Sequence, residues 1–425
     1  MLDIKFIREN RDLVKEAARK KKIKLDLDRL MALDEKRRKL IAETDELRKL
    51  HRESSAETAR TGGLEGIEKD KIIIKLREEK DKISHKEFEL NAVESEFDEM
   101  MLLIPNIPDL SVPDGESDAE NLEIRTWGEP KPLNAIGGKD YLTLMKEHDM
   151  VDLERGAKVS GFRGYFLKND AVVLTMALWH FTLDELSKRG FDLFAAPSLV
   201  REENMVGTGW FPQSKNDVYK TQDDLYLSGT AEVAMMGYHA GEVLEEKDLP
   251  RKYAAFSPCF RREAGSYGKD EKGLYRVHEF YKVEQIILCK SDHQESVKWH
   301  EELTKNSEEI MQALRIPYHV VLNCGGDLGL GQVKKYDIEG WIPSENKYRE
   351  THSASYFHDF QARRLGIKYR DAEGKMRFVH SLNNTAIATP RFLESFIENN
   401  QNHDGSINIP EPLQKFFGAA KIEKK

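Results

Sequence analysis

Apolar positions recur every seven residues through the first quarter of the chain. Leu33, Leu40 and Leu47 form one row, and Leu76, Ile83, Leu90, Phe97 and Ile104 form another, with Val93 and Met100 beside it. Charged residues fill the other positions, neither run contains proline, and the glycine-rich "TGGLEG" at 61–66 separates them. Heptads on both sides of a helix breaker predict an antiparallel coiled-coil hairpin over about 30–104. At 1.5 Å per residue such an arm reaches roughly 45–50 Å. Arg37, Thr44 and His51 fall where a seam row should lie, which makes for a thin core suited to two helices. A dimerisation coiled coil, or a helical pair packed on its own domain, satisfies the same pattern.

The pattern then changes. Residues 105–132 hold five of the chain's 14 prolines and read as a linker that no helix or strand crosses. From 133 to 425 short β-rich runs alternate with helical stretches. "DAVVLTMALWHFTLDELSKRG" (170–190) has helical spacing and ends at glycine. "FDLFAAPSLV" (191–200), "DDLYLSG" (223–229), "YAAFSPCF" (253–260), "EFYKVEQIIL" (279–288) and "YHVVLN" (318–323) read as strands. None of them leads through a glycine loop into a helix as a dinucleotide fold requires. The expected class is α+β: an antiparallel sheet with helices on one side. The division expected is an N-terminal domain with its arm at 1–104, the linker at 105–132 and a catalytic domain at 133–425.

Composition narrows the setting. The 425 residues are 39% hydrophobic and 33% charged, with no apolar run of the ~18–20 residues that span a bilayer. The start, "MLDIKFIREN", lacks the apolar core of a signal peptide, so the expected location is cytoplasmic, with no membrane partner. Cys259, Cys289 and Cys324 are scattered singly and suggest neither a disulfide framework nor a zinc site. The net charge of −9 argues against a generic nucleic-acid coat. Residues 11–60, however, carry 16 basic against 11 acidic groups, and phosphate contacts need only a local patch.

Two strands joined by a charged loop, "FSPCFRREAG" and "HEFYKVEQIIL", pose the chemical question. Glu284 lies inside an apolar strand, and Glu232 follows "SGTA". A carboxylate facing a core must be paired. An internal salt bridge would serve, and so would a pocket that holds an ammonium group from outside. Arg261 ends one strand and Arg391 opens the helix "PRFLESFIENN"; guanidinium groups there suit phosphate or carboxylate, or surface ion pairs. Thr230, Asn383, Asn384 and Thr385 are small hydrogen-bonding groups in turns. No P-loop, nucleophile elbow or HExxH helix is present.

Six segments in order carry a resemblance. After the arm, "FDLFAAPSLV" is similar to class II motif 1, "LSGTAE" to a serine-pocket loop, and "FRREAGSYGKDEKGLYRVHEFYKVE" to motif 2. "YRETHSAS" resembles an ATP-proximal segment and "HSLNNTAIATPRFLESFIENNQ" motif 3. Over nearly its whole length the chain resembles the bacterial-type seryl-tRNA synthetases, class II aminoacyl-tRNA synthetases. The resemblance implies a serine–tRNA ligase that makes seryl-adenylate from L-serine and ATP with Mg²⁺, then charges tRNA(Ser) and, in some members, tRNA(Sec). It implies Arg261 and Arg391 as catalytic, with Arg261, Arg262, Glu263, Phe280, Glu350, Thr351, His352, Ser353 and Arg391 around ATP. Thr230, Glu232, Arg261, Glu284, Asn383 and Thr385 would surround serine, and Glu350 with Ser353 would hold the metal. Arg37, Arg38, Lys39, Arg48 and Lys49 are the implied phosphate contacts on the arm, and motif 1 implies a homodimer.

Several positions depart from the family's usual pattern: Thr351-His352 for Ile-Ser, Arg262 for serine, and Asn384, Ala386 and Pro390 for glycines. Other readings remain at this point. Threonyl and prolyl synthetases share the catalytic fold but carry a further C-terminal domain. A synthetase-like paralogue would act on a non-tRNA acceptor, and a coiled-coil interaction protein would carry an inert catalytic domain.

Overall fold

A computed structural model describes residues 1–60, 67–264 and 273–424. The glycine turn at 61–66 and the tip of the charged loop at 265–272 lie outside these described residues. The chain divides into two compact units: Asp3–Arg19 with Ile23–Ile104, and Met1–Leu2 with Lys20–Lys22 and Pro105–Lys425.

In the smaller unit the predicted hairpin is two long helices, Leu27–Arg60 and Ile67–Leu102. Their cross-helix ion pairs run in opposite directions along the sequence: Arg29–Glu96, Arg37–Glu94, Glu43–Lys86 and His51–Glu79. The helices are therefore antiparallel. Leu33, Leu40, Val93, Phe97 and Ile104 are buried, as the heptads require, whereas Leu47 and Leu76 are only partly covered. The polar seam positions are accommodated individually. Thr44 is buried, Arg37 lies over the Phe97 ring at 5.1 Å, and His51 Nδ1 meets Glu79 Oε2 at 3.2 Å.

The larger unit is built on an eight-stranded sheet. Its strands in chain order are β1 (Leu122–Trp127), β2 (Asp192–Ala195), β3 (Arg251–Phe260), β4 (Glu279–Cys289), β5 (Tyr318–Leu322), β6 (Lys334–Ile342), β7 (Lys347–Tyr356) and β8 (His380–Thr389). They lie side by side as β1-β5-β6-β7-β8-β4-β3-β2. Every neighbouring pair is antiparallel except β2 with β3 at one edge.

Three expectations are corrected. The segment 105–132 does carry a strand, because its prolines leave the stretch between 113 and 130 free and "LEIRTW" can pair with β5. The run 191–200 is two strands rather than one; Pro197 interrupts it, and Leu199–Val200 pairs with Tyr226–Leu227 in a separate small sheet. Helices cover both faces rather than one. The long helices Asp170–Lys188, His293–Ala313 and Arg391–Asn400 bury Leu178, Leu303, Ile310, Phe392 and Phe396 with Val283, Ile287 and Leu382 of the sheet. On the opposite face the short helices Ala231–Tyr238 and Phe360–Leu365 pack Met235, Met236 and Leu365 with Tyr253, Ala255 and Ile286.

Alternation explains the division. On β4, Val283, Gln285 and Ile287 face the long helices, whereas Phe280, Lys282 and Glu284 face away. Short helices cover only one end of that second face, and a cavity occupies the rest. Phe396 is fully buried beneath the sheet. Phe396→Ala is expected to cost about 3–5 kcal/mol, read as a lower midpoint in chemical unfolding with an unchanged far-ultraviolet spectrum before the transition.

Candidate active site

The cavity on the open face holds about 320 Å³. Thr230, Glu232, Arg261, Glu263, Phe280, Glu284, Glu350, Thr351, Ser353, Asn383, Thr385 and Arg391 all line it. Twelve of the fourteen residues implied by resemblance thus meet in one place. Arg262 and His352 do not.

Arg262 is exposed and donates from Nη1 to the Asn216 carbonyl at 2.9 Å, beyond the turn that carries Glu263 at φ +54°. His352 is turned away by a register shift. Glu339 pairs with Glu350 and Ile338 with His352, so Thr351 is an extra residue in β7. This bulge inverts the alternation, aiming Ser353 and Ser355 into the cavity and His352 beneath the sheet. There His352 Nε2 meets the Ala386 carbonyl at 3.1 Å, and burial lowers its pKa to about 4. A second bulge at Ala386 in β8 likewise separates Asn383 and Thr385 from Ala388, all three of which line the cavity.

One end of the cavity is acidic and hydroxyl-rich. Thr230 caps the helix Ala231–Tyr238, its Oγ1 accepting from the Glu232 amide at 3.3 Å. Lys282 donates to the same Oγ1 at 3.0 Å and pairs with the Glu284 carboxylate. The choice left open for Glu284 is thereby resolved in part: it has an internal cation. Glu232 has none. Its Oε1 accepts from Gln361 Nε2 at 2.6 Å, and burial raises its pKa to about 7.

The other end is cationic and aromatic. Arg261 follows β3, lies 5.4 Å from the Phe280 ring and 5.7 Å from that of Trp210, and donates weakly to the Gly229 carbonyl at 3.5 Å. Its buried Nε finds no acceptor among the described residues, which leaves a donor for an anion. Arg391 is the first residue of its helix; its Nε donates to the Tyr275 carbonyl at 3.1 Å, and its Nη1 lies 3.4 Å from Glu350 Oε1. The Tyr275 ring is held between two guanidinium groups, Arg349 at 3.7 Å and Arg391 at 4.3 Å. Glu263 Oε2 accepts from Arg276 at 2.8 Å. Burial alone would raise the Glu350 carboxyl, but the charges of Arg391, Lys335 and Arg261 outweigh it and hold the group below its usual value.

Lys282, Tyr275, Arg276 and Gln332 line the cavity and were not singled out from sequence. Lys282 stands two residues before Glu284 on the strand, so period-two alternation alone would have placed both on one face. Tyr275 and Gln332 carry no such signal.

An antiparallel sheet with paired arginines at strand and helix ends over a carboxylate pocket defines a class II aminoacyl-tRNA synthetase core. Residues 216–400 match the tRNA synthetase class II core domain (G, H, P, S and T), and residues 1–108 match the seryl-tRNA synthetase N-terminal domain. The chain belongs to the seryl-tRNA synthetase family. A serine–tRNA ligase of Deinococcus radiodurans is 44% identical over 423 residues, covering 99% of both chains. The crystal structure of seryl-tRNA synthetase from Pyrococcus horikoshii complexed with ATP superposes with a TM-score of 0.89 at 40% identity, covering 100% of each chain. The cytoplasmic serine–tRNA ligase of Naegleria fowleri in complex with AMP superposes at 0.86 with 32% identity, covering 100% of this chain and 99% of that one.

The Glu232 pKa carries a prediction. With its carboxyl near 7, the pocket gains its negative charge as pH rises through neutrality. Affinity for a ligand that presents an ammonium group is therefore expected to fall as pH drops from 8 to 6, approaching tenfold per unit at the acid end. Titration by calorimetry checks this, and Glu232→Gln should flatten the profile.

Proposed function

We propose that the chain is a serine–tRNA ligase that works in two steps within this cavity. The serine carboxylate attacks the α-phosphorus of ATP; the new P–O bond forms as the bond to pyrophosphate breaks, leaving seryl-adenylate. A hydroxyl of the tRNA's terminal ribose then attacks the serine carbonyl and AMP departs. No general base is needed in the first step, since the attacking carboxylate is already ionised. The observation that carries this reading is the division of one cavity into an acidic, hydroxyl-bearing end and a two-arginine end.

The roles follow from charge. Arg261, with an unsatisfied donor, suits the α-phosphate, where negative charge builds on the equatorial oxygens. Arg391 suits the terminal phosphate, Phe280 a stacked adenine, and Glu263 a hydrogen bond to its edge. Glu232 suits the serine ammonium, because Glu284 is already paired with Lys282. Thr230, Asn383 and Thr385 offer partners to the serine hydroxyl; a substrate lacking it would leave buried groups unpaired. Glu350, kept ionised by its cationic neighbours, and Ser353 form an oxygen donor pair that fits Mg²⁺, which usually takes its other ligands from phosphates and water. Mg²⁺ bound there would neutralise charge on the phosphates.

The N-terminal domain favours tRNA as acceptor over a carrier protein, with tRNA(Ser) the first candidate and tRNA(Sec) a second. Of the implied phosphate contacts, Arg37 and Arg48 pair across the hairpin with Glu94 and Glu87, Arg38 pairs with Asp34, and Lys39 lies 4.0 Å from Glu43. Lys49 is exposed. A homodimer is supported by exposed apolar residues in and beside the motif 1 region: Phe166, Val172 and Met176 line one groove, and Val173, Leu193 and Leu199 are exposed as well. No helix among the described residues is long and apolar enough to cross a membrane, and a cytoplasmic location accords with the use of tRNA.

Two measurements test these assignments. ATP–pyrophosphate exchange is expected with serine and not with threonine, alanine or glycine, and Arg261→Ala should lower its rate constant by about 10²–10³. Exchange supported by another of the four amino acids and not by serine would overturn the pocket assignment. Met176→Glu is expected to shift the protein toward monomer in sedimentation velocity, and an unchanged dimer would remove this face from the interface.

A further inference from the structure

One wall of the cavity is a four-residue loop, 329–332, whose residues all line it. Of its residues in "GLGQ" only Leu330 buries an apolar side chain, so the loop relies largely on its backbone to hold it. Its four carbonyls accept from two side chains and one amide in distant parts of the chain, and that of Gly329 also from the Gln332 amide at 3.2 Å. Lys21 Nζ donates to the carbonyls of Gly329 at 3.1 Å, Leu330 at 2.9 Å and Gln332 at 2.5 Å. The Asn106 amide donates to Leu330 at 2.9 Å, and its Nδ2 donates to Gly331 at 3.0 Å and to Phe357 at 2.7 Å.

Lys21 is unusual in kind. It is 4% exposed, and its ammonium meets no carboxylate among the described residues. A buried cation without an anion is costly, and it is tolerated here because three donors find three carbonyl oxygens. The loop passes this order on. Gln332 Oε1 accepts from the Gly329 amide at 2.6 Å, and Gln332 Nε2 donates to Ser355 Oγ at 2.8 Å. Ser355 stands opposite Asn383 in the sheet. The clamp thus leads to the end of the cavity where Glu232, Asn383 and Thr385 lie.

The two clamping residues also share a position in the chain. Lys21 falls between the helices Arg11–Lys20 and Leu27–Arg60, and Asn106 follows the helix Ile67–Leu102 by four residues. Both belong to the larger unit, in the short segments of it that precede and follow the long hairpin in the chain. We propose that Lys21 and Asn106 are positioning residues for the amino-acid end of the cavity, acting together through the carbonyls of loop 329–332. They touch no substrate. This inference rests on the serine-pocket reading above, because it concerns how that pocket is shaped.

The test is pyrophosphate exchange by the full-length protein with serine and ATP varied separately. Lys21→Met keeps the length of the side chain and removes the donors, leaving the Gln332 carbonyl unpaired and the Gly329 carbonyl with only the Gln332 amide at 3.2 Å. Asn106→Ala removes two side-chain hydrogen bonds from the same region. Each is expected to raise the KM for serine about tenfold while the KM for ATP changes less than twofold. The double variant should raise it by much less than the product of the two single effects, because both act on one loop. A folded Lys21→Met protein whose serine KM equals that of the wild type overturns the proposal. So does an equal loss for serine and ATP accompanied by a lower melting temperature, the mark of a merely structural role. If Lys21→Met does not fold, Asn106→Ala decides by the same criteria. A wild-type protein that gives no exchange with serine overturns the pocket reading, and this inference with it. A serine-active wild type with indifferent variants overturns this inference alone.

Discussion

The larger unit depends on keeping opposite charges apart within one cavity while neutralising each locally. Glu232, Lys282, Glu284, Glu350, Arg261 and Arg391 all line it, and an unpaired charge at such a depth costs several kcal/mol. The solution is spatial. Lys282 and Glu284 sit two residues apart on β4 and neutralise each other, while Arg391 approaches Glu350 across two elements. What remains over among the described residues is useful: one carboxylate, Glu232, without an ion pair at one end and a guanidinium donor, Arg261 Nε, without an acceptor at the other. On the proposed reading, that remaining charge suits a molecule with an ammonium group and a polyphosphate.

Rigidity behind the cavity makes such an arrangement worth having, since binding groups are effective only if they do not move to meet the ligand. The rear of β4 and β8 is held by a buried polar network. Gln285 donates to Ser307, Asn384 donates to Ser307 and to the Leu303 carbonyl, and Ser307 donates to the Thr385 carbonyl at 2.9 Å. The helix His293–Ala313 therefore fixes, from the apolar side, the backbone of a residue whose side chain faces the pocket. Asn384, which departs from the family's glycine, belongs to this network and not to the cavity. Its added bulk is absorbed behind the sheet, where it gains hydrogen bonds.

The two bulges are the other device. A regular strand presents alternate residues, so a site that needs both Glu350 and Ser353 cannot be built on one without an inserted residue. Thr351 is that residue, and Ala386 does the same for Thr385 and Ala388. The cost is local disorder of the ladder, offset by hydrogen bonds such as Thr351 Oγ1 to the Ile338 carbonyl at 3.0 Å.

Much of this was legible in the chain itself. Period-seven rows specified the antiparallel hairpin because burial of one stripe is a property of helix geometry alone, and the motif order identified the catalytic fold and most of the candidate residues that line one cavity. Local pattern could not reveal what depends on register. The resemblance assigns His352 to the site along with its neighbours in the segment, and only the pairing of β6 with β7 shows the inserted residue that turns it away. The strand at Leu122–Trp127 was hidden by flanking prolines and exists because β5 offers it an edge. Lys21 and Asn106 carry no signal at all, since their partners are backbone carbonyls more than 220 residues distant. Periodicity and motif are encoded by neighbours in sequence, whereas register, charge pairing and clamps on a loop belong to neighbours in space.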